Sequence, residues 1–83
     1  MTVHVRYFAS LREALGPHEE VELPEGATLA MLRERLIARG GRHAEVLAHG
    51  RAVRCALQQA MCEEDSVIPE GAEVAFFPPV TGG

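Results

Sequence analysis

Val74-Ala75-Phe76-Phe77-Pro78-Pro79-Val80-Thr81-Gly82-Gly83 is the stretch on which the reading of this chain turns. It opens as an alternating strand, with Val74 and Phe76 on an inner face and Ala75 and Phe77 on an outer one. Pro78 and Pro79 then hold the backbone extended and remove two ladder donors. Gly82-Gly83 carries no side chains, so a narrow channel can admit it and its torsions stay free. The six residues from Pro78 to Gly83 span up to roughly 20 Å, enough to reach into a neighbour's pocket. The reactive group delivered there is the α-carboxylate of Gly83. Such groups titrate near ~3.5, so it is ionised and a poor electrophile. It needs activation, for example as an acyl-adenylate, before a nucleophile replaces the leaving group. Residues 1–78 are expected to form one domain and residues 79–83 a flexible tail.

Working upstream, Pro69-Glu70-Gly71 and its echo Pro24-Glu25-Gly26 are turns. Val67-Ile68 reads as a short apolar link and Glu63-Glu64-Asp65-Ser66 as a solvated turn. Arg54 to Met61 reads as one strand with Cys55 and Leu57 inward. Residues 43–53 are the least legible, with one or two helical turns over Ala44–Ala48 before Gly50. Thr28 to Arg39 is the main helix: Thr28 is a suitable N-cap, and Leu29, Leu32 and Leu36 form one stripe. Arg33, Glu34, Arg35 and Arg39 ring its other side, and Gly40-Gly41 ends it. His18 to Leu23 is a strand with Val21 and Leu23 inward, paired as a hairpin-like neighbour of the first. Ser10-Leu11-Arg12-Glu13 fits a capping box opening a short helix that ends before Gly16. Thr2 to Phe8 alternates, with Val3, Val5 and Tyr7 inward and His4, Arg6 and Phe8 outward. The sum is a two-layer α+β domain, one main helix across one face of a mixed sheet. The final strand is expected to leave at a sheet edge.

Composition narrows the function. The chain has 83 residues and is 47% apolar, so a single domain with a thin core is expected. A net charge of −4 without a basic block argues against a nucleic-acid partner. No apolar run approaches the length of a membrane span, and the first residues lack signal-peptide character, so a reducing cytoplasm is expected. The histidines (His4, His18, His43, His49) and the cysteines (Cys55, Cys62) lack the close spacing of a zinc site, so no metal is expected. Cys55 reads as a small buried hydrophobe. Glu19-Glu20 and Glu63-Glu64 read as solvated faces. No nucleophile–base ordering and no phosphate loop is present, so the chain is not expected to be an enzyme on its own. Phe8 and Phe77, large apolar residues on outward parity, are expected to join Met61 in a partner-docking patch at the root of the tail.

The terminal stretch resembles the C-terminal signature of the MoaD/ThiS ubiquitin-like family of sulfur carriers. Tyr7-Phe8-Ala9, Leu11-Arg12-Glu13, Leu29-Ala30-Met31-Leu32-Arg33 and Pro69-Glu70-Gly71-Ala72-Glu73 support the match. Ala56-Leu57-Gln58-Gln59 departs conservatively from the family's Ala-Val-Asn-Gln. The resemblance implies a ubiquitin-like β-grasp fold. It implies that Gly83 is adenylated by a MoeB-like enzyme using ATP and then thiocarboxylated by way of a sulfur donor protein, with no cofactor bound to the carrier itself. It implies insertion of Pro78, Pro79, Val80, Thr81 and Gly82 into a MoaE-like large subunit of molybdopterin synthase, where sulfur passes to cyclic pyranopterin monophosphate. Phe8, Met61 and Phe77 map onto the family's docking patch, and the assembly it implies is a heterotetramer. Alternatives are a carrier for thiamine or another thio-metabolite and a ubiquitin-like protein modifier. The eight basic residues are all arginine, so lysine-linked chains on the protein itself are ruled out.

Overall fold

The structure, a computed structural model, describes residues 1–79. Its elements run β1 (Thr2–Tyr7), α1 (Ala9–Leu15), β2 (His18–Glu22), α2 (Leu29–Ile37), α3 (Gly41–Leu47), β3 (Arg54–Leu57), β4 (Ala60–Met61) and β5 (Glu73–Phe77). The sheet order is β2-β1-β5-β3-β4. β1 is antiparallel to β2, and β5 is parallel to β1 and antiparallel to β3. This is the mixed sheet of a β-grasp domain.

One expectation about the sheet is corrected. β5 lies at its centre and not at an edge. The composition of the flanking strands explains the placement. β2 is His-Glu-Glu-Val-Glu and β4 is two residues long. Charged and very short strands are suited to edges, where unpaired backbone meets water. β5, with Val74 and Phe76 fully buried, gains more from neighbours on both sides.

The core forms where two periodicities meet. The period-two residues Val3, Val5, Tyr7, Val74 and Phe76 line the inner face, and Leu29, Leu32 and Leu36 of α2 cover them. Each such side chain contributes about 1.5–3 kcal/mol by leaving water. The rings of Tyr7 and Phe76 stack with centroids 6.4 Å apart. Thr28 caps α2 as expected, its hydroxyl accepting from the Met31 amide at 3.3 Å. The two Pro-Glu-Gly turns are matched: Ala27 N–H donates to Pro24 and Ala72 N–H to Pro69, each at 3.2 Å. Gly26 and Gly71 sit at φ +83° and +77°, the region a side chain penalises.

Local expectations shift in four places. α1 begins at Ala9 with Phe8 at its N-cap and no side-chain cap, so the Ser10 capping box does not form. Arg54–Met61 is two strands joined by Gln58-Gln59, both at positive φ (50° and 70°). That is the backbone of a primed two-residue hairpin turn. Gln58 compensates by bridging to β5: its N–H donates to Glu73 O at 2.9 Å, and its side-chain carbonyl accepts from Glu73 N at 3.0 Å. The helical turns after Gly40 start earlier than expected, at Gly41. The Val67-Ile68 link is part of the architecture, since Ile68 is buried in the core and Val67 bridges Thr28.

Three charged residues expected on the surface are engaged instead. Arg33 is only 5% exposed and reaches the carbonyls that follow α3. Glu64 is its ion-pair partner at 2.6 Å. Glu19 accepts from the Tyr7 hydroxyl at 2.7 Å, meets His43 Nε2 at 2.8 Å and pairs with Arg39.

The Glu19 cluster carries a pH prediction. Burial pushes the Glu19 carboxyl upward, but its hydrogen bonds to His43, Tyr7 and Arg39 outweigh that and hold it below the ordinary value. As pH falls, the unfolded chain therefore takes up its proton first. The stability contribution is complete above the ordinary glutamate range and is lost as pH falls through the lower, folded value. Urea unfolding across the acid range should show this decline, and Glu19→Gln should flatten it. An unchanged acid slope in Glu19→Gln would remove Glu19 as its source.

Candidate functional site

Strand parity and register build one surface. In β1, Arg6 lies opposite Ala75, and Phe8 follows on the same parity. The ladder continues one step further, with Phe8 N–H donating to Phe76 O at 3.1 Å. In β3, Arg54 lies opposite Phe77 and Ala56 opposite Ala75. In β4, Met61 lies opposite Ala56. Residues opposed across a ladder share a face, so Phe8, Ala75, Phe77, Ala56 and Met61 occupy the outer face, away from α2. Phe8 is 38% exposed and Met61 63%. The sequence-predicted trio Phe8, Met61 and Phe77 is thus brought to one side of four adjacent strands.

An open groove of about 730 Å³ runs along this face. Phe8, Ala75 and Phe77 form its floor, and Pro78 and Pro79 lie along it where the chain leaves β5. The groove is apolar at its centre and charged at its rim. The Arg6 guanidinium stands 5.4 Å from the Phe8 ring centroid. It also pairs with Glu73 at 3.7 Å. Arg54, exposed, stands on the far side of Phe77. Aromatic and methionine side chains ringed by arginine match the composition of protein–protein interface cores and rims.

Ala9 lines the groove and was not legible as a site residue. It adopts φ +54° although it carries a Cβ, a conformation costing about 1–2 kcal/mol. This residue turns the chain from β1 into α1 and leaves Phe8 projecting at the junction. Tyr7-Phe8-Ala9 carries no local turn signal. Gln59 also lines the groove, placed there by the hairpin turn.

Three histidines are engaged in ion pairs. His4 pairs with Glu20 at 3.1 Å on the outer face of β1 and β2. His43 belongs to the Glu19 cluster and His49 pairs with Glu34. Among the described residues, no group of three or more metal-ligating side chains converges. Of the tail positions, Pro78 and Pro79 are described and half-buried. Val80, Thr81, Gly82 and Gly83 lie outside the described residues, as does most of the expected 79–83 tail.

Known proteins match the chain over nearly its whole length. The chain is 36% identical over 81 residues to the molybdopterin synthase sulfur carrier subunit of Escherichia coli, covering 98% of this chain and 99% of that one. It is 37% identical over 82 residues to the protein of the same name from Haemophilus influenzae, with the same coverage. Its fold matches a chain in the complex of subunits 1 and 2 of the molybdopterin-converting factor from Helicobacter pylori, with a TM-score of 0.70, 23% identity and full coverage of both chains. The ThiS family model matches residues 5–83. The chain belongs to the ThiS family.

Proposed function

We propose that this chain is the sulfur carrier subunit of a molybdopterin synthase, with the carboxylate of Gly83 as the group that carries sulfur. The observation that supports it most is the placement of the apolar outer face. Phe8, Ala75, Phe77 and Met61 lie together where Pro78-Pro79 leave the central strand. A partner seated on that face receives the following residues at a fixed starting point. Near full-length identity to relatives named as sulfur carrier subunits supports the same reading.

The chemistry is acyl activation supplied by partners. In an activating enzyme the Gly83 carboxylate attacks the α-phosphorus of ATP, giving the acyl-adenylate and pyrophosphate. A persulfide sulfur from a donor protein then displaces AMP, and reductive cleavage of its S–S bond by a thiol leaves the thiocarboxylate. Docked on a large subunit, the tail delivers that sulfur to cyclic pyranopterin monophosphate. The carrier's own residues dock, orient and extend; they perform no proton transfer. Among the described residues, no helix is long and apolar enough to cross a membrane, and we place the protein in the cytoplasm with its partners.

Intact-mass measurement after incubation with a MoeB-type enzyme, ATP and a sulfur source tests the reading. Replacement of oxygen by sulfur adds about 16 Da at the C-terminal residue. An unchanged mass with an activating enzyme that consumes ATP in the presence of this chain would overturn it. Covalent attachment to other proteins through Gly83, in place of the sulfur gain, would favour the modifier alternative.

A further inference from the structure

The two cysteines, seven positions apart in sequence, meet in space. Cys55 is in β3, and Cys62 follows β4 directly. One register step beyond the Ala56–Met61 pair, they are cross-strand partners. Cys62 N–H donates to Cys55 O at 3.4 Å, and the two Sγ atoms are 4.0 Å apart. Both are free thiols, Cys55 buried and Cys62 half-buried. Directly opposed antiparallel residues have Cα separations of about 4.5–5.5 Å, inside the range that disulfides span. A small groove of about 410 Å³ opens on both cysteines and on Met61 and Glu63.

We propose that Cys55 and Cys62 form a thiol–disulfide exchange site that closes reversibly to an intramolecular disulfide, with a small-molecule disulfide of the glutathione class as the oxidant. The half-buried Cys62 attacks first. Its thiolate displaces one thiolate from the oxidant and becomes a mixed disulfide. Cys55 then loses its proton and attacks the Cys62 sulfur, forming the Cys55–Cys62 bond and expelling the second small thiolate. The oxidant gains two electrons and leaves as two thiols. The protein thiols lose two electrons and two protons.

The order follows from the surroundings. Burial, reinforced by the neighbouring Cys62, pushes the Cys55 thiol up to about 12, so it stays protonated while Cys62 reacts. Closure needs a sulfur approach of about 2 Å, to the bonded distance. It staples the short edge strand β4, which carries Met61, to β3. In a reducing compartment such a pair is sensed and reversed, unlike a structural cross-link.

The test equilibrates the full chain in buffers of stepped reduced-to-oxidised glutathione ratio, followed by alkylation and intact-mass analysis. The expected product is a monomer lighter by about 2 Da, resistant to alkylation and reversed by dithiothreitol. Peptide mapping should join Cys55 to Cys62, and the oxidised form should melt roughly 5–10 °C higher. Cys62→Ser, at the more exposed position, should not react under the same conditions. Cys55→Ala should stop at a glutathione adduct on Cys62. A stable adduct on the wild-type chain, a disulfide-linked dimer, or no reaction in the most oxidising buffer would each overturn the proposal.

Discussion

Deletion of Gly83 is expected to abolish sulfur transfer while the domain stays folded and able to dock. The proposed chemistry resides in one terminal carboxylate, and removing one residue draws that carboxylate back by about 3.5 Å. Misplacement of a reacting group by about 1 Å can already cost 100-fold, so single-turnover formation of molybdopterin should fall by at least about 100-fold. The fold has no reason to respond. Among the described residues, the last buried one is Phe76 and the last paired strand ends at Phe77. The melting temperature and the affinity for the large subunit should both be retained. Phe77→Asp should separate the same properties in the opposite sense. It puts a charge in the centre of the outer face, so docking should weaken while Gly83 still accepts AMP in an enzyme that does not use this face. Full sulfur transfer by the Gly83-deleted chain would remove the carboxylate from the mechanism. Unchanged affinity of Phe77→Asp would remove the outer face from docking.

The features legible in the sequence are those written in local periodicity. The alternation Val3-Val5-Tyr7 and Val74-Phe76, the stripe Leu29-Leu32-Leu36 and the paired Pro-Glu-Gly turns appear in the structure with the expected faces. The outward faces of Phe8 and Phe77 followed from parity, because a strand residue's face is set by its position in the strand. Met61, counted along one strand from Leu57, would face inward, and the Gln58-Gln59 turn is what brings it to the outer face opposite Ala56. What parity lacks is pairing across distance. It could not place β5 at the centre, since strand order depends on which edges the other strands can leave to water. It could not show that Gln58 holds Glu73, 15 positions away, or that two cysteines in an unremarked hairpin face each other. Charged residues are hard to place from sequence for the same reason. Glu19 and Glu64 look like surface acids beside Glu20 and Glu63, and only their long-range partners distinguish them. The residues that would carry the chemistry, Val80 to Gly83, lie outside the described residues.

Arg33→Ala is expected to cost more stability than any other single change considered. The side chain is 6% exposed, and four of its five guanidinium N–H donors are engaged. Nε donates to Leu47 O at 2.8 Å, and Nη2 donates to Ala48 O at 2.8 Å and Arg51 O at 3.1 Å. Nη1 donates to Glu64 at 2.6 Å. These carbonyls belong to the end of α3 and the chain after it, where no helical partner remains for them. Truncation leaves them without donors, leaves Glu64 without its cation and opens a cavity beside Leu47. Glu64 is 36% exposed, so most of the loss comes from the carbonyls. Each acceptor left unpaired away from water costs about 1–3 kcal/mol, so the urea midpoint should drop sharply and the melting temperature should fall by more than about 10 °C. Arg33→Lys keeps the charge for Glu64 but not the fork that meets three carbonyls, so it should recover less than half of the loss. Arg33→Met fills the space without donors and separates packing from hydrogen bonding. If Met restores wild-type stability, the carbonyl contacts contribute nothing net. The damage should also be local before it is global. Hydrogen exchange should accelerate first in α3 and residues 48–53, which lead into β3 and so support the hairpin that presents Met61. The pairing of β1 with β5, which no Arg33 hydrogen bond in the described residues reaches, should hold its protection until the whole domain opens. If both regions accelerate together, the clamp is an inseparable part of the core and not a fastening of α3 onto it.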